Sequence, residues 1–200
     1  MMTEQKCIYC NESEADTKDH EPFKGLFPDD KKILERFTLK VPACGSCNNN
    51  LSWDQGFFRN VAATLGYENS ESARLVFHSK IAPAINTLHP GLLYSIFRKM
   101  SLVDMVSKSG IYTGERMAKL QLTKEDMVRM ENVVTKIVQA YFYYHFGVPL
   151  TNQYKIKVVP QQLFRKITSI IKIEELRFGN NYLDVFAYRF DRVPDNYSSV

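Results

Sequence analysis

The chain contains four cysteines, and all four lie in two Cys-x-x-Cys pairs, Cys7 with Cys10 and Cys44 with Cys47. Such a pair forms a turn whose two thiolates can face one metal ion, and two pairs supply the four ligands of a closed tetrahedral zinc site. Reduced structural cysteines and a redox pair are the alternatives. Two pairs with no cysteine left over favour structural zinc, and they leave no thiol for nucleophilic catalysis.

The segment between the two pairs is 33 residues long, which leaves room for a hairpin that carries other residues. The stretch "FTLKVPAC" alternates like a strand that runs into the second pair. Apolar residues at helical spacing then predict a helix that begins near Asn48 and ends near Gly66. The resulting order of knuckle, hairpin, knuckle and helix is that of a treble clef, and it places Asp19-His20 on the hairpin opposite Asn48.

These three residues suit phosphodiester hydrolysis. Aspartate is a hard oxygen ligand for Mg²⁺ or a similar cation, and the amide oxygen of Asn48 can be a second ligand. His20 can take a proton from water near neutral pH. Because neighbouring strand residues point to opposite faces, Asp19 and His20 need a local bulge to act on one phosphate. Structural roles compete for each residue: a turn cap for Asp19, a core histidine for His20 and a helix N-cap for Asn48. Their coincidence at this spacing favours a site.

The segments "CIYC", "DHEPFKGLFP" and "VPACGSCNNNLSWDQGFFRN" resemble the HNH (ββα-metal) endonuclease superfamily. The likeness covers about residues 5–60 and is strongest to members with a four-cysteine zinc, including a group of bacterial HNH proteins of unassigned role. The resemblance implies that the four cysteines hold zinc, that Asp19 and Asn48 bind catalytic Mg²⁺ or Mn²⁺, and that His20 is the general base. It implies a metal-dependent endonuclease acting on nucleic acid, with DNA the favoured substrate.

The chain departs from the family pattern at two places. Many HNH proteins have an asparagine shortly before the second knuckle that orients the base, whereas this chain reads "ERFTLKVPAC", with Thr38 as the nearest polar substitute. The last cation ligand is Asn48 and not the commoner histidine. Asp54 matches an acidic position of the bacterial group, but no role follows for it from the sequence.

The sequence predicts an α+β protein, mainly α, with a zinc-stapled treble-clef module at 1–66 and a mostly helical, basic accessory region at 67–200. A short strand region, "YLDVFAYRFDRV", lies near the C-terminus. The clearest helix runs from Thr123 to His145, where Thr123 and Asp126 form a capping box. Its apolar stripe is interpreted as core, and we expect the following residues in it: Met127, Met130, Val134, Ile137, Tyr141 and Tyr144.

Charge is divided unevenly along the chain. Residues 1–60 carry 8 Lys and Arg against 10 Asp and Glu, and residues 61–200 carry 18 against 12. Because the first segment is net acidic, attraction of a polyanion must come from elsewhere. The densest basic segment is 151–173, and its predicted nucleic-acid contacts are Lys155, Lys157, Arg165, Lys166 and Lys172. An ordinary solvated helix face is the alternative for these residues.

Two other functions share features of this pattern. A non-catalytic, zinc-dependent nucleic-acid-binding protein would keep the cysteines and the basic segment while Asp19-His20 stays inert. A zinc deaminase is disfavoured because His20-Glu21 lacks the spacer of its H-x-E signature and because four cysteines leave no zinc position for water.

With no transmembrane or signal segment in view, we expect a cytoplasmic protein that makes no membrane contact. Whether it acts alone, as a homodimer or with a partner protein stays open.

Overall fold

A computed structural model describes residues 5–85, 90–150, 156, 177–182 and 184–190. Within these residues the chain is α+β, with helices and three separate two-stranded antiparallel sheets. None of the helices in the described ranges combines the length and the apolar character needed to cross a membrane.

The N-terminal part is built on a hairpin of β1 (Thr17–Glu21) and β2 (Leu39–Ala43). A single 3-10 turn (Lys24–Leu26) and α1 (Lys31–Phe37) connect the strands. Helix α1 begins where the side chain of Asp30 accepts hydrogen bonds from the two backbone N–H groups of Lys32 and Ile33, a favourable N-cap. The predicted strand that leads into the second cysteine pair is therefore present.

Two helices follow the hairpin, where the sequence predicted one. They are α2 (Gly45–Asn49) and α3 (Ser52–Gly66), and the chain turns between them at Asn50 and Leu51. The predicted end at Gly66 is confirmed. The start differs because the sulfur of Cys44 accepts the backbone N–H of Cys47 and caps α2. Asn48 consequently lies inside α2 and is not its N-cap.

Three helical segments then follow one another without a break: α4 (Glu71–Val76), a π-helical segment (Phe77–Ile81) and α5 (Ala82–Ile85). Helix α6 spans Pro90–Phe97. Ser70 caps α4 by accepting the backbone N–H of Ala73, so this helix also begins at a favourable N-cap.

A hairpin of β3 (Met100–Val106) and β4 (Tyr112–Leu120) interrupts the predicted mostly helical region. The prediction of strands only near the C-terminus was wrong at this point. Both strands are largely exposed, with Leu102 69% and Met117 50% accessible. Neither strand has a buried apolar face, so the alternating pattern that identifies a strand in sequence is missing.

Helix α7 spans Lys124–Phe146 and confirms the clearest helix predicted from sequence. The Thr123 hydroxyl accepts the backbone N–H of Asp126, and the Asp126 carboxylate accepts the backbone N–H of Thr123, so the capping box is formed. Gly147 ends the helix with φ +71°, a left-handed conformation that glycine adopts without steric cost.

The described C-terminal residues form a hairpin of β5 (Arg177–Tyr182) and β6 (Phe186–Phe190). The sequence predicted a strand here, and the structure divides that stretch between the end of β5 and β6. The turn returns Tyr188 to α7, where its hydroxyl lies 2.8 Å from Nε2 of His145.

The main core joins the N-terminal hairpin region to α7, across residue 66. Its buried members are Phe23, Leu26, Phe27, Val133, Ile137 and Tyr141. The apolar stripe predicted for α7 is thus partly confirmed, because Ile137 and Tyr141 are buried, whereas Tyr144 is 59% exposed. This packing lays one face of α7 along β1 and β2, and that contact determines the surroundings of Asp19.

Candidate functional site

The four cysteine sulfurs converge at one end of the N-terminal hairpin. The ligand atoms of Cys7, Cys10, Cys44 and Cys47 all lie within 4.8 Å of one another. In a tetrahedral zinc site with Zn–S bonds of about 2.3 Å, the sulfurs are separated by about 3.8 Å. The cluster therefore fits a structural metal site such as zinc, and four thiolates would close it to any further ligand.

The backbone around the cysteines is shaped for metal binding. Asn11, directly after Cys10, has φ +55°, and its backbone N–H donates to the carbonyl of Cys7 at 2.9 Å. The N–H groups of Ser13 and Glu12 lower the pKa of Cys10 to about 6. Burial acts in the opposite direction and raises the pKa of Cys47. A bound cation would overcome that cost and hold the thiolates charged.

The hairpin register directs the side chains of Asp19 and His20 to opposite faces of β1. Asp19 pairs with Val41 and His20 with Lys40, and the pairing is regular from Thr17 to Glu21. The bulge expected from sequence is not formed. Because side chains alternate along a regular strand, Asp19 faces the protein interior, where it is 6% exposed, and His20 faces the other way.

The carboxylate of Asp19 accepts hydrogen bonds from three protein donors. Its Oδ2 lies 2.7 Å from Nζ of Lys136 and accepts the Tyr9 hydroxyl at 3.1 Å. Its Oδ1 accepts the backbone N–H of His20 at 2.8 Å. The Lys136 ammonium is also buried, at 4% exposed, and lies 5.0 Å from the centre of the Tyr9 ring. A buried ion pair of this kind depends on both partners, since removing one leaves an uncompensated charge.

Asn48 reaches the same ammonium through its backbone. The Asn48 carbonyl accepts a hydrogen bond from Nζ of Lys136 at 3.2 Å, and its side-chain amide donates to the Thr17 hydroxyl at 3.2 Å. One ammonium group therefore bridges Asp19 and Asn48, the two residues to which the sequence assigned a divalent cation.

As they lie, these residues do not fit a divalent cation. The donor types are suitable, since Mg²⁺ and Mn²⁺ prefer carboxylate and amide oxygens. However, the single carboxylate already has its charge balanced by Lys136 and accepts from three donors. A cation at Oδ2 of Asp19 would first have to displace the Lys136 ammonium.

Glu21 is a second carboxyl group beside this pair. It is 0% exposed, and neither oxygen makes a hydrogen bond of normal geometry to any described residue. Burial, followed by the nearby charge of Asp19, raises the pKa of Glu21 to about 8, and Lys136 offsets this only in part. Next to β1, the described part of the interior therefore holds the ammonium of Lys136, the carboxylate of Asp19 and the carboxyl group of Glu21, whose raised pKa favours the protonated form at neutral pH.

His20 lines a cleft to which Asp19 also contributes. The cleft has a volume of about 340 Å³. Its wall is formed by β1, the turn after it and the first half of α3, and it is lined by the following residues: Asp19, His20, Phe23, Lys24, Gly25, Ser52, Gln55, Gly56 and Arg59. Burial lowers the pKa of His20, and the charges of Lys24 and Lys40 lower it further. The imidazole is consequently neutral at pH 7 and can accept a proton.

The two lesser candidates have structural contacts. The Thr38 hydroxyl donates to the Leu34 carbonyl at 2.6 Å, so this group helps to end α1. The Asp54 carboxylate accepts Nε of Arg129 at 2.8 Å and the side-chain amide of Asn132 at 3.3 Å. Asp54 therefore ties α3 to α7.

The predicted nucleic-acid contacts lie outside the described residues. This applies to all five: Lys155, Lys157, Arg165, Lys166 and Lys172. Within the described part of the chain, two basic side chains, Lys24 and Arg59, line the His20 cleft.

In comparisons with known proteins, no family model, no curated protein and no solved structure matches the chain. The four-cysteine cluster and the contacts around Asp19 and His20 are therefore the observations on which a function is inferred.

Sequence reasoning missed Lys136, Tyr9 and Glu21. For Lys136 a signal was present, because this lysine falls in helical phase with buried Val133 and Ala140 on α7. A lysine in an apolar stripe needs a buried partner. For Glu21 the strand alternation already placed it on the same face as Asp19.

Proposed function

We propose that the protein is an HNH-type endonuclease that hydrolyses phosphodiester bonds in nucleic acid, most readily DNA, with His20 as the general base. The observation that carries this proposal is the position of His20. A hairpin next to a four-cysteine cluster presents its imidazole in an open cleft lined by basic side chains.

The role of His20 follows from its surroundings. Its pKa is lowered by burial and by Lys24 and Lys40, so the ring can accept a proton from a water molecule that attacks phosphorus. The cations around the cleft would stabilise the negative charge that develops on the phosphate oxygens. The zinc expected at the cysteines has a structural part, since it would hold the hairpin against α2.

The requirement for Mg²⁺ or Mn²⁺ belongs to the same proposal and rests on the resemblance alone. The Asp19 carboxylate is engaged by Lys136, and we therefore derive no catalytic step through a divalent cation. That engagement also favours a second candidate, a non-catalytic nucleic-acid-binding protein in which Asp19 and Lys136 form a purely structural pair.

A nicking assay separates the two candidates. Supercoiled plasmid, a branched junction, linear duplex and single-stranded DNA are each incubated with the protein and with Mg²⁺, Mn²⁺ or neither. The nuclease proposal expects cleavage that His20→Ala abolishes, and that His78→Ala, a histidine bonded to Tyr67 away from the cleft, leaves intact. Binding without cleavage of any substrate would establish the second candidate.

A further inference from the structure

Arg59 is a partly buried cation in the His20 cleft that has no carboxylate partner among the described residues. It lies on α3, on the wall of the cleft opposite β1, and burial lowers its pKa. Asp29 is near enough to favour its charged form, yet the Asp29 carboxylate makes its ion pair with Lys80, at 2.9 Å. A partly desolvated guanidinium is stabilised when an anion lies beside it.

The guanidinium is nevertheless held in place. Its Nε donates to the side-chain oxygen of Asn60 at 2.9 Å, and Asn60 is 2% exposed. A methyl group built on Gly25 would lie 3.9 Å from Cδ of Arg59, so the arginine stem runs past this glycine. With Nε engaged, the two terminal amino groups have no protein acceptor within the described residues. Arg59 therefore presents donors in the planar arrangement that matches the oxygens of a phosphate.

The rest of the cleft also favours an anion. Lys24 lies on the turn after β1 and makes no ion pair within the described part of the chain. Ser52 and Gln55 contribute neutral donors from the first turn of α3. Asp19 is the one acidic residue that lines the cleft, and its charge is balanced by Lys136.

We propose that the His20 cleft is a phosphate-binding site in which Arg59 and Lys24 hold one phosphodiester group of a nucleic acid beside the imidazole. The identity of the ligand as nucleic acid rests on the function proposed above, whereas the phosphate site rests on the cleft itself. This site would bind the phosphate backbone of the nucleic acid within the N-terminal region, although that region is net acidic by residue count.

Two probes test the site in divalent-free buffer without chelator, so that the cysteine cluster keeps its metal. The first is a fluorescent duplex oligonucleotide titrated at several salt concentrations. Arg59→Gln should lose about tenfold in affinity, and the log–log salt slope should fall by about 0.9 for the lost phosphate contact. Arg59→Lys should keep the salt slope. Arg74→Gln removes the same charge from an exposed arginine of α4 and should bind within about twofold of the unchanged protein.

The second probe is inorganic phosphate, read out as a rise in melting temperature that Arg59→Gln abolishes and that acetate does not reproduce. If the protein binds or cleaves DNA but Arg59→Gln keeps the full salt slope and the phosphate effect, the phosphate site is wrong and the proposed function stands. If phosphate binds through Arg59 but no oligonucleotide does, the site stands and the nucleic-acid proposal fails. A protein that binds neither probe refutes both.

Discussion

The ammonium of Lys136 lies 2.7 Å from Oδ2 of Asp19, and both side chains are almost completely buried. Lys136 comes from α7, whereas Asp19 lies on β1, so the pair joins the long helix to the hairpin beside the cysteine cluster. The same ammonium also donates a hydrogen bond to the Asn48 carbonyl, and this second contact helps to hold it beside Asp19. In this state Lys136 supplies the positive charge that a divalent cation would supply at Asp19.

Replacing Lys136 should therefore convert Asp19 into a cation ligand. We expect Lys136→Met to lower the free energy of unfolding by about 3–5 kcal/mol, since it leaves a buried carboxylate unpaired. Mn²⁺ should restore part of that loss, entering through the cleft of about 280 Å³ that borders Tyr9 and Lys136. Thermal unfolding with and without Mn²⁺, together with Mn²⁺ binding by electron paramagnetic resonance, measures both effects.

Lys80 provides a matched control for this substitution. Its side chain is 13% exposed, pairs with Asp29 at 2.9 Å and donates to the Phe27 carbonyl at 2.7 Å. Lys80→Met should be destabilised without any rescue by Mn²⁺, because Asp29 is 68% exposed and remains hydrated. If the unchanged protein binds Mn²⁺ through Asp19 as tightly as Lys136→Met does, the pair does not compete with cations.

Glu21 should make stability depend on pH. Its pKa is raised to about 8 by burial and by Asp19, so the folded protein binds a proton there that the unfolded chain releases near pH 4.5. The contribution of this proton to stability is complete below pH 4.5 and is lost as the pH rises through about 8. Tyr9, Asp19 and Lys136 are the charged or titratable groups that face it.

The substitution Glu21→Gln should flatten this dependence. Urea unfolding at several pH values between 5 and 9 measures the slope, and the difference between the two proteins should reach about 1.4 kcal/mol for each pH unit at its steepest. Gln139, a partly buried neutral residue on α7, offers the control Gln139→Glu, whose carboxylate at the edge of the Tyr9 cleft can stay hydrated. Parallel pH curves for the unchanged protein and Glu21→Gln would show that Glu21 is ionised throughout.

How much of this could be predicted depended on whether the signal was local. The capping box of α7 and the end of α3 at Gly66 are set by residues close in sequence, and both were predicted. The cysteine spacing predicted the cluster for the same reason, since each knuckle is a short turn. Hairpin β3–β4 was missed because its strands are exposed on both faces and carry no alternation.

The contacts of Asp19 could not be predicted in this way. They depend on how α7 packs against β1. These two elements are far apart in sequence, so no local pattern indicates that Lys136 and Asp19 meet. The hairpin register also differs from the prediction. A bulge was expected so that Asp19 and His20 could act on one phosphate, whereas the pairing is regular. The sequence predicted that Asp19 and Asn48 bind one divalent cation, and this stays a prediction; in the structure both residues contact the ammonium of Lys136.

The cysteine cluster should carry about one equivalent of zinc, and its removal should unfold the N-terminal region. Zinc binding by four thiolates is worth about 10–16 kcal/mol near pH 7, as much as the whole stability of a typical domain. Elemental analysis measures the zinc, and circular dichroism during titration with a strong chelator measures the unfolding. Cys47→Ser should behave like the chelated protein, whereas Ser46→Ala, at an exposed neighbour, should not. Folded protein with far less than one equivalent of metal would contradict the prediction.

If His20 is the base, the rate of cleavage should depend on pH through its ring. Burial, Lys24 and Lys40 lower the pKa of His20 below 6.5, so the neutral, proton-accepting form predominates at lower pH than for a free histidine. The single-turnover rate should rise with pH in the acidic range and already be level at pH 7. Lys40→Gln removes one of the two cations and should move the midpoint of this rise to higher pH.

His20→Ala should abolish the rise and the cleavage while DNA affinity changes little, because a base acts on the attacking water and not on the bound phosphate. A rate that keeps its pH dependence in His20→Ala would assign the proton transfer to another group.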